Sequence, residues 1–209
     1  VRPGILVDPE KVVSKAEGRT VALRDVLPSV RAQQLAKELD KDPRLVELIL
    51  AETRQIVRQG PGVLICETRH GLVCANAGVD QSNAPGPESA ILLPLDPDAS
   101  ARGILAALGV GRGVVISDTF GRPWREGLVD VAVGVAGFGP LRSYVGRPDR
   151  NGRDLRVTVM ALADQIAAAA GILMEKDSGR PAVWVEGLSV EGDGRLGDLL
   201  RDPQRDLFR

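Results

Sequence analysis

Cysteine, histidine and aromatic residues are all scarce in this chain, and each shortage removes a class of function. The thiols are Cys66 and Cys74 and the one imidazole is His70, so no Cys/His metal spacing exists. Two cysteines also make no disulfide framework, which fits a reducing compartment and a cytoplasmic protein. Aromatics are 3% of the residues, so stacking platforms for single-stranded nucleic acid are lacking and the core must be built from Val, Leu, Ile and Ala. Basic and acidic residues number 27 and 28, leaving a net charge of −1 and no global footprint for nucleic acid or an anionic membrane. No apolar run approaches the roughly 18 residues of a membrane span, and no basic segment followed by an apolar one opens the chain, so a soluble protein is expected.

Several common sites are missing as well. There is no Gly-Lys-Ser/Thr phosphate loop, no glycine triplet opening a helix after a strand, and no serine elbow, which argues against hydride transfer and acyl-serine chemistry.

What is present reads as alternating short strands and helices in 209 residues, enough for one large domain or two small lobes. An apolar patch at Gly4–Val7 precedes Asp8-Pro9. Residues 14–19 then read as a polar turn before a strand at Thr20–Leu23, or else as a segment whose Lys15 and Arg19 face phosphates, with Glu17 pairing one of them. Ser29 caps a helix to about Leu39. Asp42-Pro43 opens a second helix, with Leu45, Leu48, Ile49, Glu52 and Ile56 on one face and Gly60-Pro61 as its end. Val63–Thr68 and Leu72–Ala77 flank Arg69-His70-Gly71 as a hairpin. Cys66 and Cys74 are then potential cross-strand neighbours, and His70 is a turn residue or a supporting donor. Asp96-Pro97 opens a helix to Leu108, Leu128–Val135 alternates as a half-buried strand, and residues 146–153 form a charged loop. An Ala-rich helix over Val157–Leu173 reads as buried, Pro181–Val185 as a core strand, and Phe208 as a docked terminal aromatic.

Two stretches carry chemistry. Val114–Ile116 is an apolar strand that runs into Ser117-Asp118-Thr119, followed by Gly121, Arg122, Pro123, Trp124 and Arg125, a loop suited to an anion with the indole sheltering the two guanidinium groups. Asn76, Asp80, Gln81, Ser82 and Asn83 crowd five polar side chains into eight residues, more than a turn needs. We expect the two acidic ends to converge. Carboxylate and hydroxyl oxygens suit Mg²⁺ or Mn²⁺, and with scattered cations they suit phosphoryl transfer, which needs positioning and charge neutralisation more than a special nucleophile.

The segments Val12–Arg19, Cys74–Asn83, Ser117–Arg125 and Asp206–Arg209, in this order, resemble the coenzyme F420-0:γ-glutamyl ligase family over nearly the whole chain. The resemblance implies an α+β fold of two lobes, one formed by residues 1–54 with 159–209 and the other inserted at 55–158, in a homodimer. It implies GTP as co-substrate with Mg²⁺ or Mn²⁺, and K⁺ as a further cation. The implied reaction joins L-glutamate to the lactyl carboxylate of a deazaflavin precursor and then adds further glutamates. Asp80 and Asp118 match the family's metal-binding acids and Thr119 a further metal contact, while Asn83 and Lys15 match nucleotide contacts. Glu175 falls in a segment corresponding to another nucleotide and metal loop. Arg19 as a nucleotide contact, and Arg122 and Arg125 as stabilisers of developing charge, come from the residues and not from the family. Two departures stand out. Pro9-Glu10-Lys11 replaces small or hydroxyl residues, and 13 residues precede Ser14 where the family has a longer lead, so weak GTP binding is expected. A catalytically impaired nucleotide-binding relative, or a ligase with another acceptor carboxylate, are the alternatives.

Overall fold

A computed structural model describes residues 3–207. The expected docking of Phe208 lies outside them. The chain forms two compact units, one of residues 1–9, 97–118 and 129–199, the other of residues 10–96, 119–128 and 200–209. These limits differ from the 1–54/159–209 and 55–158 division implied by the resemblance: the chain crosses between units at the end of β1, after residue 96, within β7 and β8, introduced below, and after residue 199.

The first unit is built on a mixed four-stranded sheet of order β11-β1-β7-β8, with β1 at Gly4–Pro9, β7 at Gly113–Arg122, β8 at Arg125–Ala136 and β11 at Val183–Glu186. β1 runs parallel to β7, with Asp8 opposite Ile116 and Pro9 opposite Ser117, and antiparallel to β11. Period-2 alternation sends Ile5 and Val7, with Val115 in register, to one face, and they share a core with Ala132, Val135 and helix α5, Leu162–Met174. That helix contributes Leu162, Ala163, Ile166, Ala167, Ala170 and Met174, spaced three or four apart, as one buried stripe. The Ala-rich helix is therefore buried along one face only, and not throughout as expected: its apolar Ile172 and Leu173 are exposed. It also starts later than Val157, because Val159–Ala161 is a strand, β10, paired with β9 at Leu141–Ser143. β11 is an edge strand, partly exposed, and not a core strand. Asp98, in the first turn of helix α4 (Pro97–Leu108), accepts from the backbone N–H groups of Val135 at 2.8 Å and Leu196 at 3.0 Å, tying three chain segments together. Gly134 is obligatory beneath that turn, since a Cβ would sit 2.6 Å from the Pro97 carbonyl oxygen.

The second unit packs helices α2 (Val30–Leu39) and α3 (Pro43–Glu52) with the antiparallel sheet β3-β4-β5, at Thr53–Gly60, Val63–Thr68 and Val73–Ala75. Both expected caps form: Ser29 Oγ accepts from Ala32 N at 3.2 Å and Asp42 Oδ1 from Arg44 N at 2.8 Å. Helix α3 stops at Glu52, eight residues before the expected Gly60-Pro61 end, and Ile56 lies in β3. Thr53 Oγ1 donates back to Ile49 O at 2.6 Å, and the following Thr-Arg-Gln-Ile-Val gains ladder partners on β4, so tertiary pairing overrides the continued helical spacing. Cys66 and Cys74 are directly opposite across β4 and β5, buried, and not joined in a disulfide. Residues 10–16 form a short helix, α1, where a polar turn was one reading. Glu10, Val13 and Ser14 are its buried face, and the chain turns only at Gly18, φ 70°. A two-stranded ladder joins β2 at Thr20–Ala22 to β6 at Ser89–Ile91. Among the described residues no helix is long and apolar enough to cross a membrane.

Candidate active site

Asp80 owes its position to a backbone that turns the wrong way three times in succession. Asn76, Ala77 and Gly78 have φ of 51°, 53° and 73°, a left-handed run that returns the chain alongside β6. Gly78 is required on two counts, its positive φ and a Cβ position 2.7 Å from Leu93 Cδ1. Asn76 spends its Oδ1 on Leu64 N at 3.3 Å and so serves the turn itself. Asp80 then exchanges both backbone bonds with Ile91, at 3.0 and 2.7 Å, which fixes its Cα.

The Asp80 carboxylate is clamped. Oδ1 accepts from Ser82 N at 2.8 Å, and Oδ2 accepts from Ser82 Oγ at 2.7 Å and from Lys11 Nζ at 2.5 Å. Lys11 also donates to Ser82 Oγ. Burial pushes the Asp80 pKa upward, but the Lys11 and Ser82 hydrogen bonds outweigh it, so the carboxyl is held below its ordinary value and stays ionised. Asn83 follows, exposed and at φ 57°.

In the first unit the parallel pair β1/β7 carries a second acidic edge. Asp8 is in register with Ile116, so Asp118, two residues further on, projects from the same sheet face as Asp8. Asp8 lies at the C-terminal end of β1 and Asp118 just past Ser117, the last β7 residue paired with β1, the edge at which parallel strands usually present ligand-binding groups. Asp8 Oδ1 is buried with no hydrogen-bond partner, and burial raises its pKa to about 6. Asp118 and Thr119 are partly exposed. Strand β7 does not end at Asp118 as expected; it continues to Arg122 and reverses at Pro123-Trp124, where Trp124 takes φ 57°.

The cations divide by role. Arg122 Nη2 donates to Glu126 O at 2.7 Å and secures that reversal, while its Nε is buried without a partner. Arg125 is exposed, and the indole of Trp124 is 80% exposed. Arg19 is committed to the fold: Nε donates to Leu93 O at 2.9 Å, and Nη2 lies 3.1 Å from Glu52 Oε1, off line for a hydrogen bond but within ion-pair distance. Its partner is thus Glu52, from another element. Lys15 is exposed in the last turn of α1. Glu175 ends α5 at φ 51°, ψ 175°, a region almost reserved for glycine, and lies 3.4 Å from Arg180. His70 Nε2 is 3.1 Å from Leu95 O, a turn-pinning contact.

Two residues escaped the sequence reading. Lys11 was legible in principle, because Lys11 and Lys15 are four apart and share a helix face once residues 10–16 are read as a helix. Asp8 had the simpler signal of a carboxylate inside an apolar strand. Among the described residues no group of three His, Cys, Asp or Glu side chains forms a ready metal cage. The donors on offer are nevertheless hard oxygens, which suit Mg²⁺ or Mn²⁺ better than a thiophilic ion.

Fold and donor set define a mixed α+β protein with oxygen-rich acidic strand ends. The family model described as F420-0:Gamma-glutamyl ligase matches residues 4–187, and the chain belongs to that family. It is 47% identical to the Coenzyme F420:L-glutamate ligase of Methanopyrus kandleri over 98% of this chain and 85% of that protein. It is 47% identical to the enzyme of the same name from Methanothermobacter thermautotrophicus, over 98% and 84%. The Methanocaldococcus jannaschii protein, also so named, is 42% identical over 98% and 84%.

Proposed function

We propose that this protein is a ligase that forms an amide between L-glutamate and the lactyl carboxylate of a deazaflavin precursor, using GTP, and that it extends the product with further γ-linked glutamates. The observation that carries the reading is the clamped, ionised Asp80, held by strand pairing and by Ser82, in a chain that belongs to the F420-0:Gamma-glutamyl ligase family. A carboxylate does not react with an amine until one of its oxygens becomes a leaving group. Transfer of the terminal phosphoryl of GTP to that oxygen makes an acyl phosphate; attack by the glutamate nitrogen forms the amide, and inorganic phosphate leaves with the electron pair.

Asp80, Asp118 and Thr119 are the residues that would hold Mg²⁺ or Mn²⁺, with K⁺ as a further cation. Such an ion, when bound, neutralises charge on phosphate oxygens. Asn83 and Lys15 contact the nucleotide in this reading, and Glu175 joins them from the strained end of α5. Arg125, exposed, is the arginine available to stabilise developing charge, whereas Arg122 and Arg19 act first on the backbone around them. The enzyme is cytoplasmic and homodimeric in this account. Sustained GDP release tests it: beyond one equivalent per enzyme, release should require precursor and glutamate together, and Asp80→Ala or Asp118→Ala should remove it. Multiple-turnover GDP release that is independent of glutamate would sink the ligase assignment.

A further inference from the structure

The structure seats the Lys11 ammonium directly on Asp80. Its ammonium is 2.5 Å from Oδ2 and also donates to Ser82 Oγ, so the ammonium, the hydroxyl and the carboxylate close a three-membered polar ring. The lysine is not a loose surface arm. It springs from α1, whose neighbouring Glu10 is 2% exposed and accepts from Ser14 Oγ at 3.1 Å, and whose Val13 is buried, so the rotation of the helix is fixed. The Lys11 side chain itself is 22% exposed. Oδ2 therefore has two donors, and the one negative charge of Asp80 is already balanced by one positive charge. A divalent ion reaching Oδ2 must evict the ammonium, since two cations on one carboxylate oxygen repel.

We propose that Lys11 is the resident counter-ion of Asp80, competing with divalent metal for the carboxylate and so setting the metal affinity of the site. This rests on Asp80 being a metal-binding acid, as in the proposed function. The residue acts through Asp80 and is a positioning residue.

The test is Mn²⁺ titration by calorimetry, without nucleotide, on wild type, Lys11→Met, Lys11→Arg and Asp80→Asn. Lys11→Met keeps the length of the stem and removes the charge; it should bind Mn²⁺ about tenfold more tightly than wild type. Lys11→Arg should stay near wild type and Asp80→Asn should lose the binding. Equal or weaker Mn²⁺ affinity in Lys11→Met, with loss in Asp80→Asn, overturns the competition while leaving Asp80 as a ligand. Undiminished binding in Asp80→Asn overturns both. Wild type alone gives a second reading that needs no folded variant: lysine acylation followed by mass spectrometry. Mn²⁺ should raise the reactivity of Lys11 relative to Lys15, and an unchanged ratio contradicts the proposal.

Discussion

Replacing Arg19 by methionine separates a structural arginine from a nucleotide-binding one. The Arg19 and Glu52 side chains are 16% and 11% exposed, so solvent screens them little, and removing the guanidinium strands a nearly buried carboxylate at the end of α3. Breaking a buried ion pair on one side costs about 3–5 kcal/mol, and the low end applies here because the pair lacks hydrogen-bond alignment. Losing the donation to Leu93 O adds about 1 kcal/mol. At roughly 2–4 °C per kcal/mol for a chain of this size, the melting temperature should fall on the order of 10 °C. Arg19→Met/Glu52→Leu removes both charges and should recover most of that loss. Thermal melts followed by circular dichroism read both numbers. A single variant within about 2 °C of wild type, or a double variant less stable than the single, would refute the structural role and return Arg19 to the nucleotide.

Other consequences can be measured independently. Asp8 titrates near 6 in the fold against an ordinary 3.8, so its protonated form is the one folding favours. Its contribution is present below about pH 4 and is lost as pH rises through about 6. Asp8→Asn should therefore gain stability over wild type across that window in denaturant titrations, and parallel curves from pH 4 to 7 would contradict this. Glu175→Gly should raise the melting temperature by relieving about 1 kcal/mol of backbone strain at φ 51°, ψ 175°, while weakening nucleotide binding; a lower melting temperature would mean that the side chain supports the fold. Burial raises the Cys66 thiol pKa and both cysteines are buried, so neither should react with a disulfide reagent until the protein unfolds; rapid labelling of the native state would contradict the placement.

Local chemistry made much of this molecule legible. Ser29 and Asp42-Pro43 announced their helices because capping acts over two or three residues, and the β4/β5 hairpin followed from alternation around Arg69-His70-Gly71. Misreadings came where a distant partner decided. Ile56 has helical spacing from Glu52, yet β4 offers its segment a ladder, and Thr119–Arg122 looked like a loop until β8 extended the strand. The site shows the same split. The density of polar groups around Asp80 pointed to it, but the ammonium on its carboxylate comes from 69 residues away, and nothing in the local spacing joins Lys11 to Asp80. Glu52, likewise, could not be matched to Arg19 without knowing how α3 packs.

The central claim is amide formation, and mass analysis of the deazaflavin precursor after incubation with the protein, GTP, Mn²⁺ and L-glutamate tests it most directly. The account predicts a product heavier by one glutamyl residue, followed by longer γ-linked species, that is absent when GTP, metal or glutamate is omitted. A precursor of unchanged mass in the complete mixture, from folded protein that binds GTP and Mn²⁺, would contradict it.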